Sequence, residues 1–245
     1  MGMEPSFLRR VIKAILNETQ AGQVDVGKIC EELNVSNGAL GDALARLGEE
    51  GLVTSRGGRL ELSRDNRLGL AVKAIELGAD FQTVSQSLGW LEFEELAAHV
   101  FEMNGYSALR RFRFQAEGRR WEMDVLALRR PYIVCAECKH WTKSIGNSTA
   151  RGIIETHMEK TEVFSRHLPE LSKRIKVQGW GTATVVPVAL TLSPTDMIIY
   201  RRVPSVSILA LPSFLDEFGG QLERLTHHVA ELPTHKPRPT QTRLR

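Results

Sequence analysis

Two apolar runs separated by one break constrain this chain most. Residues 120–128 and 132–140 flank Arg129-Arg130-Pro131, which reads as a strand, a turn and a second strand. The pair forms a hairpin and sets Asp124 on one strand beside Glu137 on the next. Side chains alternate faces along a strand, so Glu137 and Lys139 share one face while Cys138 points to the other. Two carboxylates and a lysine gathered in this way suit a hard divalent cation, Mg²⁺ or Mn²⁺, set against a phosphodiester. In this reading Asp124 and Glu137 donate oxygens, the Cys138 backbone carbonyl donates a third, and Glu94, on a helix upstream, reaches the ion directly or through water. Lys139 positions or deprotonates the attacking water, or stabilises the developing charge. Glu94, Asp124, Glu137 and Lys139 are therefore the candidate catalytic residues.

At 245 residues with 42% hydrophobic side chains, the chain has room for two packed domains. No apolar run approaches the roughly 20 residues that span a bilayer, and residues 1–5 lack the apolar core of a signal peptide. A cytoplasmic, nucleoid-associated location is expected. Three cysteines are too few for a disulfide framework, in keeping with a reducing compartment. Cys135 and Cys138 have C-x-x-C spacing, but a regular strand points them to opposite faces, so packing is favoured over zinc or redox chemistry. The net charge of +3 says little, whereas the clustering of Arg110, Arg111, Arg113, Arg119, Arg120, Arg129 and Arg130 marks a local basic surface beside the carboxylates.

Helical spacing of Phe7, Leu8, Val11, Ile12, Ile15 and Leu16 after Pro5 predicts a first helix. Asp25 and Ser36 are N-caps for two more. A hairpin follows, turned at Arg56-Gly57-Gly58, where glycine supplies positive φ. The segment SNGALGDALARLGEEGLV resembles the recognition-helix region of winged-helix (helix-turn-helix) DNA-binding domains. Arg46 and Arg56 could meet phosphates there, but Asp42, Glu49 and Glu50 oppose them, so protein contact or dimerisation is an equal expectation. The expected organisation is a winged-helix domain over 1–64, a helical connector over 65–89, an α/β domain over 90–232 and a basic, proline-containing disordered tail over 233–245.

In the α/β domain the order is helix, three strands, helix, two strands and a last helix over 214–229. Phe93-Glu94-Glu95-Leu96 with Gly105-Tyr106, then Asp124, then Glu137-Cys138-Lys139-His140-Trp141, and finally VSILALPSFLDEF, together resemble the PD-(D/E)XK nuclease superfamily. The nearest groups are the Mrr-like restriction endonucleases and archaeal Holliday-junction resolvases. Met123 stands where the motif is named for a proline.

The resemblance implies a restriction-endonuclease-like α/β sandwich with a mixed central sheet. It also implies a Mg²⁺- or Mn²⁺-dependent endodeoxyribonuclease acting on duplex or branched DNA, as a homodimer, in repair, recombination or restriction. It places His157 and Lys160 on a helix where related nucleases present polar groups to the scissile strand. Around the site, Arg110, Arg111, Arg113, Arg120, His140, Lys143 and Arg151 are the candidates for contacting nucleic acid, with Trp141 the one tryptophan suited to stacking on a base. The alternative is a non-catalytic DNA-binding or regulatory protein that keeps the fold as a dimerisation or docking module.

Overall fold

The computed structural model describes residues 4–19, 23–139, 148–192 and 198–233. Helix α1 (Pro5–Glu18) starts with proline in its first turn, where the missing N–H costs nothing. After the short strand β1 (Val24–Asp25), α2 (Val26–Leu33) is capped by the Asp25 carboxylate accepting from the Gly27 N–H at 2.7 Å. Helix α3 (Asn37–Glu49) is capped by the Ser36 hydroxyl accepting from the Ala39 N–H at 3.2 Å. Strands β2 (Thr54–Arg56) and β3 (Arg59–Glu61) turn through Gly57 and Gly58, with φ of 57° and 76°. The sheet order β1-β3-β2 adds a strand that residues 24–25 are too short to announce in sequence.

Helix α4 (Arg64–Glu76) opens on a Ser63–Asn66 capping box, and α5 (Phe81–Gln86) follows Asp80, whose carboxylate accepts from the Thr83 N–H at 2.8 Å. One apolar cluster unites α1 to α5 and takes in Leu60 of β3 and Leu96 of the next helix, α6 (Trp90–Met103).

The large sheet is built from β4 (Ser107–Ala116), β5 (Arg119–Arg129) and β6 (Tyr132–Lys139), then, after helices α7 (Ser148–Arg166) and α8 (Leu168–Leu171), from β7 (Thr182–Thr191), β8 (Ile198–Tyr200) and β9 (Val203–Ser207). Helix α9 (Leu211–Glu217), a 3-10 segment (Phe218–Arg224) and β10 (His228–Glu231) complete it. Strand order is β4-β5-β6-β7-β9-β8, with β10 antiparallel to β7. The first three strands are antiparallel, and β6-β7-β9 are parallel, so the seven-stranded sheet is mixed.

Each face carries a helical layer. Phe93, Ala97 and Phe101 of α6 and Leu211 and Leu215 of α9 pack on Val125, Val134 and Val186, while Val163 and Phe164 of α7 pack on Leu126, Ile133 and Val185. This is the expected α/β sandwich. The last helix expected over 214–229 is corrected: α9 stops at Glu217, the chain continues as 3-10 turns through Gly219-Gly220, and residues 228–231 form a strand. Glycine pairs weaken an α-helix, and the free side of the N-terminal half of β7 offers backbone partners that a helix would leave unused. Among the described residues, no helix is long and apolar enough to cross a membrane.

Candidate active site

Alternation along β4 and β5 breaks at one level. On β5, Trp121 and Met123 lie in the core under α7, and so do Leu126 and Leu128, an odd-to-even change across Asp124. On β4 the same change falls between Leu109 and Phe112. The pairs Arg110↔Val125 and Phe112↔Met123 bracket Arg111 and Asp124, and Arg111 has a left-handed φ of 48°. A non-glycine residue in that region is strained and persists only where its surroundings hold it. The distortion lies at the level of the carboxylates.

Asp124 Oδ2 accepts from the Cys138 N–H at 2.8 Å, tying β5 to β6 just beyond the Val125↔Ala136 pair. Burial, then the Glu137 charge, raises the Asp124 carboxyl above its usual range, while the Cys138 N–H works the other way. Glu94, on α6, is 2% exposed, and its Oε2 has no hydrogen-bond partner. Arg111 Nε lies 3.9 Å from that oxygen. Burial first and Asp124 second push Glu94 up to about 7.

Glu137 is handled differently. Lys139 Nζ lies 2.8 Å from its Oε1, and Lys160 Nζ of α7 donates to its Oε2 at 2.5 Å and to the Glu122 carbonyl at 2.7 Å. Burial would raise this carboxyl, but Lys160 foremost among the neighbouring charges brings it down to about 2. Lys139 loses some basicity to burial, yet the Glu137 charge carries it above its ordinary value, so it keeps its proton at neutral pH. His157 Nε2 lies 2.9 Å from the Cys135 carbonyl and donates to it, and its Nδ1 lies 3.5 Å from Glu137 Oε2. Burial, then Lys160, lowers the His157 imidazole to about 4, so it is neutral at pH 7.

Glu94, Asp124, Glu137 and Lys139 thus meet where the sequence places them. Lys160 joins as a direct partner of Glu137 and not only as a group facing a substrate, while the neutral His157 lies beside that carboxylate and is held by the Cys135 carbonyl. A signal for them was present: His157, Lys160, Thr161 and Phe164 follow the i, i+3, i+4, i+7 spacing of a buried stripe, and a lysine in such a stripe needs a buried partner.

Among the described residues, no group of three or more His, Cys, Asp or Glu side chains is arranged to hold a metal ion. Both Glu137 oxygens are turned toward ammonium groups. The donor chemistry still fits a hard divalent cation. Two adjoining buried carboxyls are pushed toward protonation, and one of their oxygens has no partner.

Most arginines of the basic surface are paired with nearby carboxylates. Arg110 pairs with Glu95 and Glu102, Arg111 with Glu95, Arg113 with Glu122 and Arg119 with Glu159. Arg129 and Arg130 donate to backbone carbonyls of Asn104 and Trp180. Arg120 is exposed beside a cleft of about 500 Å³ lined also by Arg113, Trp121 and Arg174. Arg151 lies 5.6 Å over the Tyr200 ring, Arg46 is 3.9 Å from Glu50, and Arg56 is exposed on β2. His140, Trp141 and Lys143 lie outside the described residues, as does the tail beyond Pro233.

Residues 85–162 match the family model Mrr_cat, described as a restriction endonuclease. The matched segment is similar to Mrr-type restriction-endonuclease domains. The match runs from the end of α5 into α7, so Glu94, Asp124, Glu137, Lys139, His157 and Lys160 all fall inside the matched segment. No curated protein matches the chain. Among solved structures, protein VC1899 from Vibrio cholerae is similar at 10% identity with a TM-score of 0.38, over 90% of this chain and 51% of that one. The chain therefore spans about half the length of that protein.

The Glu94 shift has a testable consequence. A carboxyl raised from 4.5 to about 7 binds its proton more tightly in the folded state, so its contribution to stability is full at low pH and is lost as pH rises through about 7. Metal-free wild type is expected to lose roughly 2–3 kcal/mol more than Glu94→Gln between about pH 5 and about pH 8. Urea unfolding in EDTA across that range measures the difference, and parallel profiles for the two proteins would count against a buried, unpaired Glu94.

Proposed function

We infer that the restriction-endonuclease domain is a working Mg²⁺- or Mn²⁺-dependent endodeoxyribonuclease that hydrolyses phosphodiester bonds. The observation that supports it best is the meeting of Glu94 and Asp124 with the Glu137–Lys139 pair at the distorted level of β4 and β5. Asp124 and Glu94 would hold the ion, with Glu137 as the third carboxylate. A residue's N–H and C=O lie on the same edge of an extended strand, so the Cys138 N–H bond to Asp124 brings the Cys138 carbonyl to that edge too. A divalent ion held there supplies positive charge to the phosphoryl oxygens and acidifies water.

Lys139 keeps its proton, which favours hydrogen-bond donation to the attacking water or to the developing phosphoryl charge over a role as general base. Glu137 orients that ammonium, and the Cys138 N–H fixes the Asp124 carboxylate. Unlike the paired arginines, Arg120 and Arg56 are free to meet DNA phosphates. The α1–α3 and β2–β3 unit acts in this reading as a winged helix that docks DNA or a protein partner. Two such domains in a homodimer would cut both strands of a duplex, in repair, recombination or restriction at the nucleoid.

The test is a cleavage panel of single-stranded, duplex, flapped and four-way DNA with Mg²⁺ or Mn²⁺. Nicking or cutting of at least one substrate is expected, and it should stop in EDTA. Wild-type protein that binds these DNAs but cuts none with either metal would replace this reading with the docking-module alternative. Light scattering should show a dimer on DNA.

A further inference from the structure

The carboxylates of the site are split into two electrostatic states. Among the described residues, Glu94 and Asp124 lack a cation within hydrogen-bond reach, whereas both oxygens of Glu137 are occupied, Oε1 by Lys139 and Oε2 by Lys160. Lys160 comes from the opposite layer, and its side chain is 10% exposed, so it cannot turn to solvent without unpacking α7. Its second acceptor, the Glu122 carbonyl at 2.7 Å, anchors it independently of Glu137. An ammonium with two acceptors can release one and remain hydrogen-bonded. Glu137 has no comparable alternative, since His157 presents an unprotonated Nδ1 with no hydrogen to donate.

We propose that Lys160 is a positioning residue that serves as a built-in counter-ion, holding Glu137 in place in the metal-free protein and competing with the divalent cation for that carboxylate. Metal affinity is then set by this competition, and Lys139 and Lys160 are not equivalent: Lys139 stays with the substrate side of Glu137, and Lys160 withdraws to the Glu122 carbonyl when the ion arrives. The inference rests on the nuclease reading, because it needs a cation at the Glu94–Asp124 end.

Removing the ammonium should tighten cation binding, because a buried positive charge near the ion disappears and Glu137 is released. Mn²⁺ titrated calorimetrically into wild type and Lys160→Met is expected to give a dissociation constant at least about tenfold lower for the variant. Without metal the variant should melt lower than wild type, and saturating Mn²⁺ should raise its melting temperature by more than it raises that of wild type. Lys160→Gln, whose amide can still donate to a carbonyl, is the second variant if Lys160→Met does not fold, and it should shift affinity in the same direction. A purely structural role would lower stability and leave Mn²⁺ affinity equal or weaker. That result, with wild type binding Mn²⁺, would overturn the counter-ion role alone. Wild type that binds no Mn²⁺ would overturn the nuclease reading and this inference together.

Discussion

Asp124→Asn should lower metal-dependent DNA cleavage by about a thousandfold or more under single-turnover conditions, with DNA binding retained. The amide oxygen can still accept from the Cys138 N–H, so β5 and β6 stay joined and the site keeps its shape. What is lost is the anionic oxygen that a hard cation requires. Because burial and Glu137 already disfavour the charged form of Asp124, the neutral variant should be at least as stable as wild type without metal. Activity and stability therefore move in opposite directions, and misfolding cannot imitate this result. Lys139→Met should cost about a hundredfold to a thousandfold in the same assay. An Asp124→Asn protein that still cuts within tenfold of the wild-type rate would remove Asp124 from the chemistry.

Arg67→Met is expected to be the most damaging substitution outside the site, destabilising the fold by about 3–5 kcal/mol in urea unfolding. The Arg67 side chain is 7% exposed, and its guanidinium Nε lies 2.5 Å from Glu92 Oε1. It also donates to the carbonyls of Leu16 and Ser87 at 2.8 Å each, and to the Thr19 hydroxyl. One side chain thus ties the end of α1, the end of α5 and the start of α6 together. Methionine would leave the Glu92 side chain buried without its guanidinium, with the Gly89 N–H, at 2.6 Å, as its remaining partner among the described residues. Adding Glu92→Leu should recover much of the loss, since an apolar pair avoids an unpaired charge. If Arg67→Met costs under about 1 kcal/mol, the network does not stabilise the fold in the way its burial suggests.

Much of the site was legible because the signals are local. The break at Arg129-Arg130-Pro131 sets a hairpin, and a hairpin fixes which residues face each other, so Asp124 falls beside Glu137. Period-two alternation put Glu137 and Lys139 on one face, and the 2.8 Å pair shows it. Ser36, Asp25 and Asp80 act as caps within three residues of their own positions. The pairing of the arginines was not legible for a related reason: a count of positive charge along the strands omits the acids that α6 and neighbouring strands bring against it.

Sequence alone determined the hairpin, the caps, the α/β layering and the carboxylate–lysine motif, because each depends on neighbours a few residues apart and on backbone periodicity. Tertiary structure decided the face change at Arg111 and Asp124, the strand at residues 228–231 and the second lysine on Glu137. Lys160 is 23 residues from Glu137 in the chain. Only the packing of α7 across the sheet brings its charge to that carboxylate, since a buried ion must find its partner wherever the fold places one. The motif of Asp124 and Glu137-Cys138-Lys139 names the chemistry, and the surrounding fold sets the charge state of each group in it.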